Sequence, residues 1–213
     1  MILDAQTARK TATELLQIKA IKLQPEEPFI WASGWKSPIY CDNRLTLSYP
    51  HTRNFLKQQL ASAVKKLYPE AEYIVGVATG AIAIGALVAD ELNLPMVYVR
   101  PEPKKHGRQN QIEGDLKPNS KVVVIEDLIS TGGSSLKVVE VLKQNGAVVL
   151  GMLALFTYAF PVAEENFAQA NCVLHTLSDY PNLISELQES GAIDQENFET
   201  LISWRKDPAN WKK

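Results

Sequence analysis

Cysteine is scarce: Cys41 and Cys172 are the two thiols in 213 residues. Two cysteines build neither the disulfide framework of a small secreted domain nor a clustered metal site, so a reducing cytosol suits the chain and both are expected to be small packing residues. A basic surplus is also missing. Lys and Arg number 22 against 24 Asp and Glu, a formal net charge of −2, and there is no Lys/Arg stripe, which argues against nucleic acid as the main partner. Any anionic ligand must then be met by local charge. No charged n-region and apolar run open the chain, since Asp4, Arg9 and Lys10 are spread through an amphipathic segment; a secretory leader is not expected. Long hydrophobic runs are lacking as well. The uncharged stretches 73–89 and 147–163 are interrupted by Gly76, Gly80 and Gly85 and by Gly151 and Pro161, so neither reads as a membrane span. A cytoplasmic protein with no membrane partner is the expectation.

The 46% hydrophobic content and the length suit one sizeable core, hence a single domain over residues 1–213 with an N-terminal elaboration. Ala8, Ala12, Leu15, Leu16 and Ile18 fit one face of a helix over about residues 4–21, and Phe55, Leu60, Ala63, Val64 and Leu67 fit a second. Between them, PFIWASGWKSPIYCDNR reads as short strands and turns. Strands are then predicted near 73–77, 96–99, 122–125 and 148–156, with helices near 81–92 and up to about 144. That alternation predicts an α/β fold with a central, mainly parallel sheet flanked by helices. Two closing helices are expected around Leu183, Ile184 and Leu187 and around Phe198, Leu201, Ile202 and Trp204.

The richest stretch is KVVVIEDLISTGGSS, from Lys121 to Ser135. Val122, Val123, Val124 and Ile125 read as a strand covered on both faces, delivering Glu126 and Asp127 to the edge where open α/β sheets bind ligands. Leu128 and Ile129 lead into Ser130, Thr131, Gly132, Gly133 and Ser134, whose hydroxyls and open N–H groups precede a new helix, a setting that attracts phosphate. No lysine follows the glycines and GxGxxG is absent, so two common nucleotide motifs are excluded. Carboxylates beside a phosphate repel it unless they face another part of the ligand, and vicinal ribose hydroxyls are apt donors to them. A ribose 5-phosphate satisfies both halves. A parallel strand with a capped helix and no ligand is the competing reading.

Residues 101–116 form a long polar connection between two predicted strands, a length typical of lids or disorder. Arg100 ends a strand, Pro101 and Pro103 stiffen the exit, and Lys104, Lys105, His106, Gly107 and Arg108 concentrate positive charge around a glycine; a basic flap or a solvated loop both fit. The turn from Gly76 to Gly80 is either a second anion cradle or a plain small-residue connection.

Hydrophobic strand, acid pair and Thr/Ser-Gly-Gly-Ser loop together resemble the 5-phosphoribosyl-1-pyrophosphate (PRPP) motif of type I phosphoribosyltransferases. The order Arg100, Lys104, His106, Gly107 and the segment PFIWASGWKSPIYCDNR resemble the branch of that family that acts on orotate. The resemblance implies the type I fold, with about residues 1–50 and a C-terminal segment forming a small hood over a core sheet at about 70–160. It implies transfer of the phosphoribosyl group of PRPP to orotate in pyrimidine biosynthesis, magnesium as the cofactor and a homodimer whose lids complete the neighbouring site. By it, Lys104, His106 and Asp127 are catalytic; Arg100, Lys104, Lys105, His106 and the run Glu126, Asp127, Leu128, Ile129, Ser130, Thr131, Gly132, Gly133 and Ser134 bind PRPP. Ser130, Lys36 and Tyr40 meet orotate, with Ser33, Gly34 and Arg44 as further candidates.

Magnesium is expected to arrive with the substrate rather than on protein side chains. His51 and His175 are read as structural or surface residues, and the tryptophans as packing or interface residues. Three lysines seen in other members are missing, at Ala32, Thr79 and Pro101, so their contact scheme does not carry over whole. Transfer to another nucleobase, or PRPP sensing without turnover, are the alternatives.

Overall fold

Asp4 starts the first helix by accepting a hydrogen bond from the Thr7 amide at 2.8 Å, and α1 (Ala5–Gln17) turns Ala8, Ala12 and Leu15 inward. The computed structural model describes residues 2–31, 33–102 and 110–212. α1 ends a turn earlier than its apolar pattern predicts, because Lys19 takes a positive φ of 56° and Ile21 enters β1 (Ile21–Leu23). β2 (Phe29–Ile30), β3 (Lys36–Ser37) and β4 (Ile39–Cys41) follow, with β2 antiparallel to β3 and β1 to β4. A 3₁₀ turn at Asn43–Ser48 leads to α2 (Pro50–Leu67), where Pro50 occupies a first-turn position that needs no N–H donor.

The core then alternates through β5 (Tyr73–Val77), α3 (Ile82–Leu92), β6 (Met96–Val99), β7 (Ile112–Glu113), β8 (Lys121–Ile129), α4 (Gly133–Gln144), β9 (Val148–Thr157), α5 (Pro161–Gln169) and β10 (Leu174–Asp179). The two closing helices are α6 (Tyr180–Glu189) and α7 (Gln195–Lys206). The six strands lie in the order β10-β9-β8-β5-β6-β7, all parallel to their neighbours except β7. This is the mainly parallel sheet that the alternation predicts. Val122, Val123, Val124 and Ile125 are fully buried at its centre, as a strand covered on both faces must be.

The sheet continues beyond residue 160 to β10, which the apolar pattern does not reveal. β10 is half polar, yet Thr176 and Ser178 are buried because α1 packs over it, and the Ser178 hydroxyl donates to the Ala8 carbonyl at 2.8 Å. At the other end, α7 is tied to the N-terminal hairpin. Trp204, fully buried, donates from its indole Nε1 to the Lys36 carbonyl at 3.1 Å, and its ring lies 5.6 Å from that of Trp31. Arg205 donates to the carbonyls of Tyr158 and Ala159, where β9 leaves the sheet. Among the described residues no helix is long and apolar enough to cross a membrane.

Candidate active site

β5 and β8 are paired only as far as Gly76 and Ile125. Beyond that point the two chains part, and a cleft of about 340 Å³ opens between the turn after β5, the end of β8 and the Asp-Asn-Arg segment that follows β4. Such a gap at the carboxyl ends of parallel strands is where ligands bind in this architecture. Val77, Ala78, Thr79 and Gly80 line one side, Glu126, Asp127, Leu128 and Ser134 another, and Cys41, Asp42 and Arg44 the third. The Ala78–Thr79 peptide is cis.

The two acids are not equivalent. Glu126 is buried, and both its oxygens are engaged within the chain: Oε1 accepts from the Asp127 amide at 2.9 Å and Oε2 from the Ser135 hydroxyl at 2.7 Å. Burial, followed by the neighbouring Asp127 charge, pushes its carboxyl well above the ordinary range. Burial also raises Asp127, while the hydrogen bond with Glu126 and the Arg44 charge act to lower it. Burial acts on both carboxyls, so two full negative charges side by side are disfavoured at this end of the cleft.

Ile129 is fully buried, and its carbonyl accepts from the Tyr158 amide at 3.0 Å. Gly132 carries a φ of 82° and a Cβ there would lie 2.7 Å from the Phe167 ring, so this bend into α4 needs glycine. The first turn of α4 bears no acidic side chain, leaving its N–H groups open to an anion. Thr131 is steadied through its carbonyl, which accepts from Asn166 at 2.9 Å.

Arg44 brings a cation to the opposite wall. Asp42 grips its guanidinium at two points, Nε to Oδ1 at 2.7 Å and Nη2 to Oδ2 at 3.0 Å. Hydrogen bonding to Arg44 holds the Asp42 carboxyl below its ordinary value. Asn43, between them, is buried and donates from Nδ2 to the Asp127 carbonyl at 2.5 Å. The sequence reading named Arg44 as a candidate but not Asp42 or Asn43.

Other expected contacts are not gathered here. Lys36 is exposed and donates to the Lys212 carbonyl at 2.6 Å. Tyr40 alternates outward between buried Ile39 and Cys41, its ring 5.5 Å from Phe29. Neither lines the cleft. Arg100 sits at the root of the basic connection, its amide donating to the Gln111 carbonyl at 2.9 Å and its Nε 3.6 Å from Glu113. Lys104, Lys105, His106, Gly107 and Arg108, like Ala32, lie outside the described residues.

A family model described as a phosphoribosyl transferase domain matches residues 55–169, the stretch that holds β5, β8 and both turns of the cleft. The chain belongs to the phosphoribosyltransferase family. Within that family it is 55% identical over 205 residues to a protein of Cytophaga hutchinsonii named orotate phosphoribosyltransferase, covering 96% of this chain and 98% of that one. A solved structure of orotate phosphoribosyltransferase from Aeropyrum pernix is similar over 86% of this chain and 99% of its own, with 30% identity and a TM-score of 0.74. A structure of Leishmania donovani UMP synthase shares the fold over 93% of this phosphoribosyltransferase chain, with 23% identity and a TM-score of 0.80; the matched part spans 42% of that longer protein.

Proposed function

We propose that this chain is an orotate phosphoribosyltransferase, transferring the 5-phosphoribosyl group of PRPP to orotate N1 and releasing pyrophosphate and orotidine 5′-monophosphate. The observation that carries the reading is the 55% identity, over nearly the full length, to a protein of that name, in a chain whose cleft is lined by the acid pair, Ser134 of the glycine loop and Arg44. In this reading Asp127 accepts from the ribose hydroxyls, supported from beneath by Glu126. The Ser130–Ser134 loop and the start of α4 hold the 5-phosphate, and the turn from Gly76 to Gly80 faces the pyrophosphate.

Bond breaking at ribose C1 leaves positive charge on the sugar and negative charge on the departing oxygen. Cations over the pyrophosphate stabilise that separation. Lys104, Lys105 and His106 are assigned to this task, with Arg100 at the root of their loop. Orotate N1 is itself acidic, so no strong general base is required. For the orotate carboxylate, Arg44 is better placed than Lys36 or Tyr40, because among the described residues it is the cation that lines the cleft.

Magnesium suits this site as a companion of the pyrophosphate. Among the described residues no cluster of three or more His, Cys, Asp or Glu could cage an ion, and magnesium prefers phosphate oxygens and water. When bound it shields the pyrophosphate charge. We also assign a homodimer that shares its lids and a cytoplasmic setting, on the strength of the lid resemblance and the scarcity of cysteine.

The test is orotate consumption followed by ultraviolet absorbance with PRPP and magnesium, for wild type and Lys104→Ala. PRPP-dependent loss that collapses in the variant supports the activity and the lid. No loss with wild type, under conditions where PRPP binds, overturns the orotate assignment and favours another base or a sensor.

A further inference from the structure

We infer that Asn43 is a positioning residue that sets the Asp127 carboxylate by holding its peptide from the opposite wall of the cleft; this rests on the phosphoribosyltransferase reading above. Asp127 stands where β8 has outrun its partner: pairing with β5 ends at Ile125, and on the other side the register with β9 passes from Glu126 to Leu128 without it. Side chains take over its backbone. The Asp127 amide donates to Glu126 Oε1 at 2.9 Å, and its carbonyl accepts from Asn43 Nδ2 at 2.5 Å. With no register partner at Asp127 itself, these two bonds fix the backbone from which its carboxylate projects.

Asn43 is itself fixed in a single orientation. Its Oδ1 accepts from the Cys41 thiol at 3.1 Å, and its carbonyl accepts from the Thr46 hydroxyl at 2.6 Å. Burial and the charges of Asp127 and Asp42 keep that thiol protonated and able to donate. The amide nitrogen is thereby left facing Asp127. Asn43 begins the 3₁₀ turn and is flanked by the Asp42–Arg44 ion pair, so one buried side chain joins the wall assigned to the base with the acid assigned to the ribose.

A double-mutant cycle separates positioning from plain structural support. Asn43→Ala removes the donor. Asn43→Asp keeps the volume without a donor and stands in if the alanine variant does not fold, as judged by thermal unfolding. Each is measured for kcat/KM toward PRPP in wild-type and Asp127→Asn backgrounds. The expected result is a loss of about tenfold or more in the wild-type background and less than about twofold once the carboxylate is gone, since nothing then remains to be positioned. Equal losses in both backgrounds overturn the inference, because a structural role does not depend on the Asp127 carboxylate. Wild-type turnover of orotate with PRPP is measured first: its absence removes the functional reading and this inference with it, whereas equal losses in an active enzyme remove only the role of Asn43.

Discussion

Gly80 lies directly against Asp127: a Cβ at position 80 would overlap both carboxylate oxygens and the carbon between them. The acid is therefore seated on the backbone of the turn after β5, and the two strand ends meet through a missing side chain. Gly80→Ala is expected to displace the carboxylate while leaving the buried strands intact. PRPP affinity, measured by titration calorimetry with magnesium, should fall about tenfold or more, the scale of one lost charge-assisted hydrogen bond. Wild-type affinity in this variant would show that Asp127 does not hold the substrate from its place on this turn.

Glu126 gives a prediction of opposite sign for stability. Its folded carboxyl titrates well above the ordinary value of 4.5, so below that pH both folded and unfolded chains carry the proton. As pH rises past it, the unfolded chain sheds the proton first, and wild-type stability falls until the folded carboxyl also ionises. Glu126→Gln removes that loss. Its melting temperature should exceed that of wild type by about 2–4 °C at pH 8, the shift that ~1 kcal/mol gives a chain of this length, and the gap should close toward pH 4. A constant gap across pH would show that burial does not hold Glu126 protonated.

Much of this was legible in the chain itself, for reasons that differ by residue. Four consecutive β-branched residues, Val122 to Ile125, announce a central strand because only a doubly covered strand tolerates such a run. Glu126, Asp127 and the glycines after them follow in fixed order, so their location needed only the strand. Their unequal roles did not show, since they depend on which side chain reaches Ser135 and which faces the cleft. Asn43 was invisible for a different reason: its partner lies 84 residues away, and no local pattern marks an amide that replaces a strand neighbour. Lys36 and Tyr40 show the limit of motif order, which says that residues are near one another but not which way they point. β10 was missed because the residues it buries under α1, Thr176 and Ser178, are polar, which leaves Leu177 as its one fully buried apolar residue and no apolar alternation to read.

Arg44 should decide the base. Arg44→Gln removes the guanidinium whose Nε and Nη2 Asp42 holds in place, and a carboxylate paired with its remaining N–H donors loses its charge-assisted bond. The orotate KM should rise about tenfold to a hundredfold, with the PRPP KM within about twofold of wild type. Uracil, which lacks the carboxylate, should be used no worse by the variant than by wild type. Equal rises in both substrate constants would place Arg44 in the general framework of the cleft instead.

Trp204 links α7 to the N-terminal hairpin. It is fully buried among Trp31, Tyr158, Phe160 and Tyr180, and its indole nitrogen satisfies the Lys36 carbonyl at the hairpin. Two substitutions divide its contribution. Trp204→Phe keeps much of the aromatic packing but leaves the carbonyl without its donor, which should cost about 1–3 kcal/mol. Trp204→Ala also opens a cavity, and the total should reach about 3–5 kcal/mol. Urea unfolding followed by circular dichroism measures both. If the two variants lose the same amount, the hydrogen bond to Lys36 holds the hairpin and the aromatic cluster is incidental; if the phenylalanine variant loses nothing, packing alone joins α7 to the hairpin.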